Sequence, residues 1–183
     1  MLSCDNNMRE VFMSFLGKMF GGGQSEPRNE ERSFPLDQGL AAFFQQDHRN
    51  CDLDYAELEA ALGTGNEEEI KEKWQCFDKN MRRHFEMEEK EFFPQFEQKT
   101  GMTQGGPTFV MRMEHARMCV VLEQMAALIE EGQYEEVRNQ GDTLLMLAQQ
   151  HNVKEEGMLY PMAGQHLAQE WSEISESLKG YLD

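Results

Sequence analysis

One sequence unit occurs twice, and its spacing constrains the fold more than any other feature of the chain. Residues 84–94 read His, three residues, two glutamates, three residues, an aromatic residue and proline. Residues 151–161 repeat that order 67 positions later, and the same offset relates the Asp-His pair at 47–48 to the Glu-His pair at 114–115. Four histidines and two glutamates therefore recur as two copies of one unit.

Hydrophobic residues at helical spacing predict four long helices with short connections around this repeat. The first helix is expected from about Phe34 to Leu62, and the others span roughly 67–96, 107–131 and 134–160. Pro94 is expected to kink or loosen the last turn of the second helix. The chain has no alternating strand pattern of useful length, so the predicted fold class is all-α, an antiparallel up-down four-helix bundle.

The sequence outside the bundle predicts two further helices. Residues 8–20 have one apolar helical face and are followed by a glycine-rich polar linker. We expect this helix to cover part of the domain surface, with a protein partner or a membrane surface as the alternative. The predicted organisation is an N-terminal helix and linker at 1–33, the bundle at 34–165 and a C-terminal helix packed on the bundle at 166–183.

The spacing of the histidines places all four at one height in such a bundle. His48 and His84 are 36 residues apart, and the turn at 65–66 lies midway. His115 and His151 are also 36 apart, with the turn at 132–133 midway. Because an α-helix rises about 1.5 Å per residue, each chain returns to the same height. The four imidazoles should therefore form one layer, one from each helix.

Glu88 and Glu155 each follow a repeat histidine by four residues, so they share its helix face. Imidazoles and carboxylates in an apolar layer are costly to bury unpaired, and a metal such as iron, manganese or zinc resolves that cost. Two carboxylates between two histidine pairs favour a dinuclear site bridged by these glutamates. The alternative is a set of surface residues on an acidic helical protein. The candidate metal ligands are His48, His84, Glu88, His115, His151 and Glu155.

These residues resemble the hemerythrin-like, or HHE cation-binding, family. The match includes the Glu-Glu pairs and the trailing aromatic-proline steps, and it covers roughly residues 36–165. The resemblance implies a four-helix bundle that holds a non-haem di-iron centre. Relatives bind oxygen reversibly, sense oxygen, redox state or iron, or help to repair nitrosatively damaged iron centres.

The chain departs from the oxygen carriers of that family at one position. The carriers have a second histidine one turn before the third-helix histidine, where this chain has Met111, and the repeat mate of Met111 is Phe44. Water, Asp47 or Glu114 are candidates for the missing ligand. A hydrogen bond from a ligand histidine to either carboxylate is the alternative role of these two residues.

Several neighbouring residues are expected to support the site without ligating metal. Tyr160 and Phe93 are expected to wall it, and Glu89 and Glu156 to be solvated or to support the ligands. Cys119 and Cys51 are interpreted as small apolar fillers, with a redox role as the alternative, and His166 as a surface or packing residue. The apolar flank of the glutamates is predicted to comprise Met81, Phe85, Phe92, Leu147, Val153 and Leu159.

Charge and cysteine content bound the partners. The formal net charge of −17 argues against nucleic acid and anionic membranes, which are themselves polyanionic. Four scattered cysteines without a C-x-x-C pair indicate a reducing compartment, and the chain has no apolar run of transmembrane length. We therefore expect a cytoplasmic protein.

Three functions fit these observations. The first is a di-iron protein that binds or senses oxygen or a related small diatomic ligand. The second is a di-iron redox enzyme or repair factor acting on nitric oxide, peroxide or damaged iron centres. The third is an iron-responsive interaction protein whose partner binds residues 8–20. The sequence assigns no catalytic residue, and it leaves open whether the protein is an enzyme.

Overall fold

The structure, a computed structural model, describes residues 32–182. The helix predicted at residues 8–20 lies outside this range and stays a prediction, as do the proposed domain boundaries. Among the described residues, no helix has the length and apolar character needed to span a bilayer.

Residues 32–182 contain helices and no strand, which confirms the predicted fold class. Four helical arms form the bundle, two of them built from two segments each. The arm segments are α1 (Leu40–Thr64), α2 (Glu67–Met87), α3 (Phe93–Thr100), α4 (Pro107–Glu130), α5 (Tyr134–Lys154) and α6 (Tyr160–His166), and the C-terminal helix α7 (Trp171–Lys179) follows them. Helix α1 packs on α2 and α4 on α5, and contacts of α2 with α4 and of α1 with α5 and α6 close the bundle.

The two hairpin turns lie where the histidine spacing requires them. Gly65 ends α1 with a left-handed backbone (φ 71°), a conformation that favours glycine, and Gly132 does the same after α4 with φ 69°. Asn66 caps α2 by accepting a hydrogen bond from the backbone N–H of Glu69 at 3.5 Å. Each pair of arms therefore reverses direction midway between its two histidines.

A π-helical turn interrupts the second and fourth arms at equivalent positions of the repeat. Glu88–Phe92 joins α2 to α3, and Glu155–Leu159 joins α5 to α6. In each turn the backbone N–H of the aromatic residue, Phe93 or Tyr160, donates to the carbonyl of the glutamate five residues earlier. Such turns occur often at functional sites.

The repeated prolines follow these turns and do not end the helices. Pro94 and Pro161 lie in the first turns of α3 and α6, where the missing N–H is tolerated. The second arm therefore continues to Thr100 and the fourth to His166, beyond the expected ends near Phe96 and Tyr160. The break in regular α-helical hydrogen bonding is the π turn, which comes before the proline. The proline then lies at the start of a new α-helical segment, where it disrupts no hydrogen bond.

Two buried apolar clusters lie on either side of the histidine layer. One includes Tyr55, Leu58, Ile70, Phe77 and Leu122 at the hairpin end. The other contains many aromatic residues and includes Phe43, Phe44, Phe92, Phe96, Met111 and Leu159. Helix α7, shorter than the predicted C-terminal helix, adds Ile174 and Leu178 to this second cluster, so it packs on the bundle as expected.

Candidate metal centre

The four repeat histidines form two facing pairs in the middle of the bundle. The Nε2 atoms of His48 and His84 are 3.1 Å apart, and those of His115 and His151 are 3.0 Å apart. All four side chains are buried. The predicted layer is present, and every imidazole turns the same ring nitrogen inward.

Glu88 and Glu155 lie between the two histidine pairs and are completely buried. The Oε2 atom of Glu155 is 3.2 Å from Nε2 of His48 and 3.2 Å from Nε2 of His151. The Oε2 atom of Glu88 is 3.2 Å from Nε2 of His115 and 3.6 Å from Nε2 of His84. Each glutamate therefore spans the two pairs, which is the arrangement expected of bridging carboxylates.

Each histidine has a carboxylate at its outer nitrogen, Nδ1. Within a repeat, His84 meets Asp47 and His151 meets Glu114, both at 3.0 Å. Across the repeats, His48 meets Glu156 and His115 meets Glu89, both at 2.8 Å. The carboxylates at 47 and 114 thus lie at the outer nitrogens and not among the inward-facing atoms, and the second glutamate of each Glu-Glu pair has the same role.

These outer carboxylates determine what the inner nitrogens can do. An Nδ1–H that donates to a carboxylate leaves Nε2 as an acceptor with an exposed lone pair. Two such lone pairs about 3 Å apart repel unless a cation or a proton lies between them. For two ligands at right angles around a metal about 2.0–2.1 Å from each nitrogen, the nitrogens would be about 2.9 Å apart. The observed separations of 3.1 and 3.0 Å fit shared metal ions.

The glutamates show the same need for a cation. Glu88 Oε2 and Glu155 Oε1 are buried and accept no well-aligned hydrogen bond among residues 32–182, although Glu88 Oε2 lies 3.2 Å from Nε2 of His115. A buried carboxylate oxygen without a partner is strongly disfavoured. Both atoms fit a metal ion, and the mixed imidazole and carboxylate set suits iron, manganese or zinc.

The electrostatics of the site favour positive charge in its interior. Burial lowers the pKa of His48, but the carboxylates of Glu155 and Glu156 outweigh it and raise that pKa to about 10. Burial and the carboxylates of Glu88 and Glu89 act in the same opposing way on His115, whose pKa rises to about 9. Without metal, protons on these imidazoles supply the charge that the glutamates require.

Two surface cations hold the outer carboxylates in place. Arg83 lies 2.6 Å from Asp47, and Lys154 forms an ion pair with Glu114. Burial raises the pKa of Asp47, but His84 and Arg83 lower it by a larger amount. The net shift of this pKa is therefore downward. Lys154 and His151 likewise hold the pKa of Glu114 below its ordinary value against the effect of burial. Both groups therefore remain carboxylates that accept the imidazole N–H.

The hydroxyl of Tyr160 contacts three of the candidate metal ligands, which the sequence did not indicate. Its hydroxyl is 2.8 Å from Glu88 Oε1, 2.8 Å from Glu155 Oε2 and 3.1 Å from Nε2 of His48. Burial and the two glutamates raise its pKa well above the ordinary value. The residue was predicted only to wall the site. In a regular α-helix it would point roughly 140° away from Glu155.

The apolar surroundings largely follow the prediction, with one correction. Met81, Phe85, Phe92 and Leu159 are buried. Val153, however, is 72 % exposed and does not flank the site, since it lies on the opposite face of α5 from His151. Phe44 and Met111, which occupy the carrier-histidine positions, are both buried in the aromatic cluster.

Two openings adjoin the histidine layer. A cavity of about 20 Å³, room for one water-sized molecule, is lined by residues that include His48, His84, Met81, Phe85, Met118 and Cys51. A wider cleft of about 410 Å³ reaches the other histidine pair, and its lining includes His115, Cys119, Arg82 and Arg112. His166 is exposed and outside both openings.

The fold and this cluster define a metal-binding four-helix bundle, with ligand atoms from all four arms in one buried layer. Residues 40–163 match the family model described as the hemerythrin HHE cation binding domain. Because this match covers more than half of the chain, the protein belongs to that family. A search of curated proteins and a search of solved structures each returned no significant match.

Proposed function

We propose that the protein holds two iron ions and uses them to bind or sense oxygen or a related small diatomic ligand. The proposed ligands are His48, His84, Glu88, His115, His151 and Glu155. Two facing imidazole pairs with two carboxylates between them support a dinuclear centre, and this is the observation on which the proposal rests. Membership of the hemerythrin family favours iron over manganese or zinc.

The small cavity beside His48 and His84 supports a small ligand. Its volume of about 20 Å³ admits a molecule the size of water or oxygen and excludes larger substrates. Met81, Phe85 and Met118 give it an apolar wall, which suits an uncharged diatomic molecule. The iron would supply the redox and coordination chemistry, while the protein binds it, shields it from water and orients the imidazoles.

Elemental analysis and visible spectroscopy test this function. Protein purified without added metal should contain two irons per chain, and its reduced form should change spectrum when oxygen is admitted. His48→Ala should lose iron, whereas His166→Ala, a histidine outside the site, should retain it. Absence of iron, or equal iron content in the His48→Ala variant and the wild type, would contradict the proposal.

A redox or repair role is the second candidate, and the wider cleft favours it. This cleft reaches His115 from solvent and carries Arg82 and Arg112 on its wall, so it admits more than a diatomic molecule. Burial raises the pKa of the Cys119 thiol, which makes it a poor nucleophile at neutral pH. Turnover of nitric oxide or peroxide above the rate of free iron would support this role, and a rate equal to that of free iron would exclude it.

An iron-responsive interaction protein remains the third prediction. It depends on residues 8–20, which lie outside the described residues. Deleting residues 1–33 should leave iron content unchanged under every proposal and should abolish a partner's response only under this one. Among residues 32–182, Cys51 and Cys119 are free thiols, which supports the proposed cytoplasmic location.

A further inference from the structure

The residues that follow the two π turns differ by one hydroxyl group. The repeat places Phe93 and Tyr160 at equivalent positions, directly after the two π turns. The ring of Phe93 stacks on His115 with centroids 5.9 Å apart, and the ring of Tyr160 lies 5.6 Å from that of His48. Only Tyr160 therefore brings an oxygen atom to the otherwise repeated site.

That oxygen has more acceptor neighbours than its single proton can serve. It lies 2.8 Å from a carboxylate oxygen of Glu88 and 2.8 Å from one of Glu155. Nε2 of His48, whose lone pair faces inward when Nδ1 donates to Glu156, is 3.1 Å away. One O–H can donate to only one of these atoms, and the other contacts then oppose lone pairs. In the metal-free protein a proton on Nε2 of His48 removes part of this conflict, and a metal ion next to the phenol oxygen would replace it.

The ligand sets of the two halves are unequal without Tyr160. His115 and His151 share a group of four ligand atoms with Glu88 and Glu155, all within 4.8 Å of one another. His48 and His84 form a group of three with Glu155, while Glu88 Oε2, 3.6 Å from His84 and 3.2 Å from His115, lies closer to the other half. The Tyr160 oxygen contacts two members of that smaller group, His48 and Glu155, and so lies where this half can take a further ligand.

The surrounding structure holds the phenol in this position. The ring of Phe44 stacks on Tyr160 with centroids 5.6 Å apart and planes inclined by 26°, and Phe92 contacts it at 6.1 Å. The π turn beginning at Glu155 directs the residue five positions later back towards the glutamate. The side chain is completely buried, so its placement is determined by packing.

We propose that the Tyr160 oxygen is a metal ligand that completes the His48–His84–Glu155 position, so that the two metal positions are chemically unlike. This inference rests on the proposed function. Metal binding replaces the phenol proton, which leaves to the buffer, and no electron transfer is required. The ring of Phe44 offers no ligand atom, and the phenol supplies a further oxygen to this half.

Visible and resonance Raman spectroscopy of the oxidised, iron-loaded protein tests the proposal. The wild type should show phenolate-to-iron(III) charge transfer with enhanced phenolate ring modes, and Tyr160→Phe should lose both. Tyr181 lies outside the site and donates a hydrogen bond to Glu91, so Tyr181→Phe should retain both spectral features. Persistence of these features in Tyr160→Phe would overturn the inference.

Iron content, measured on the same samples, separates this inference from the proposed function. Two irons per chain without phenolate modes would overturn the inference alone, whereas an iron-free wild type would overturn both. Should Tyr160→Phe fail to fold, wild type grown on ring-deuterated tyrosine decides the question. The enhanced modes should then shift in frequency, and unshifted or absent modes would overturn the proposal.

Discussion

Adjacent glutamates of the Glu-Glu pairs have different neighbours. Glu155 is completely buried between the histidine pairs, whereas Glu156 is 39 % exposed and meets the outer nitrogen of His48 at 2.8 Å. A helix rotates about 100° per residue, so one side chain points inward and the next reaches the neighbouring arm. The charge of Glu155 therefore acts on the inner nitrogens of the histidines, and the charge of Glu156 acts on the outer nitrogen of His48.

Replacing each glutamate by glutamine should separate these roles. Glu155→Gln removes a negative charge from among the proposed ligands, so iron should fall below two per chain. Glu156→Gln preserves the shape of a hydrogen-bond acceptor at His48, and iron affinity should fall by about 10–100-fold with stoichiometry retained at saturation. Competition titration against a chelator measures both, and equal losses in the two variants would contradict this assignment.

The raised pKa values of His48 and His115 predict how the metal-free protein responds to pH. A group whose pKa rises on folding contributes stability below its unfolded pKa, and that contribution is lost as pH rises through its folded pKa. For His48 the window runs from 6.5 to about 10, and for His115 from 6.5 to about 9. Chelator-treated protein should therefore unfold at lower urea concentration as pH rises through this window.

The same protons compete with metal, so iron affinity should rise with pH over this window. His166→Ala should show the same pH dependence as the wild type in urea denaturation. A metal-free stability that is constant or increasing between pH 6.5 and about 10 would contradict the charge state assigned to His48.

At the scale of the helix, the π turns explain which parts of the site could be predicted. The histidine layer follows from the spacing of 36 residues in regular helices, and the inward glutamates follow from their i, i+4 relation. Tyr160 does not follow, because the turn at Glu155–Leu159 changes the angle between side chains. The repeated proline was the available signal, since an interior proline requires some local change in hydrogen bonding.

Two glycines in the fourth arm should respond oppositely to alanine. A Cβ on Gly157, in the π turn, would meet no atom within 4 Å, whereas one on Gly141, in α5, would lie 2.1 Å from the hydroxyl of Tyr55. Gly157→Ala should stabilise the protein by about 0.5–1 kcal/mol through lower unfolded-state entropy. Gly141→Ala should destabilise it by about 1–3 kcal/mol through overpacking.

Urea denaturation of metal-free protein measures both alanine variants under one set of conditions. A destabilised Gly157→Ala variant would show that the π turn requires glycine. A neutral Gly141→Ala variant would show that Tyr55 moves at little cost, so the interface between α1 and α5 is less tightly packed than the structure indicates.

At the scale of the molecule, metal binding and folding should be coupled because the ligands come from all four arms. Each metal ion at 100 times its Kd should stabilise the native state by about 2.7 kcal/mol. Anaerobic calorimetry with iron(II) and with excess chelator measures this increase as a higher Tm. His151→Ala should reduce the increase, and Glu135→Gln, an exposed substitution in α5, should preserve it.

The whole bundle was more predictable than its contacts across helices. Helix periodicity and glycine turns give the four arms, but neither gives the partner of a side chain on another arm. The position of Asp47 next to a histidine in sequence left its partner open, and packing pairs it with His84 on α2. Val153 was expected near the site from sequence proximity and instead faces solvent, because its direction depends on the rotation of α5.

The second glutamate of each Glu-Glu pair contacts a histidine of the other half, so neither half alone provides a complete metal centre. Glu89 in the first half orients His115 in the second, and Glu156 in the second orients His48 in the first. One helical hairpin alone would hold two inward histidines and lack an orienting carboxylate for one of them. Two identical hairpins related by a twofold axis would supply both, so duplication and fusion of a homodimer's gene would produce this arrangement directly. Within such a pair of halves, a phenylalanine after one π turn and a tyrosine after the other give the two metal positions different neighbours.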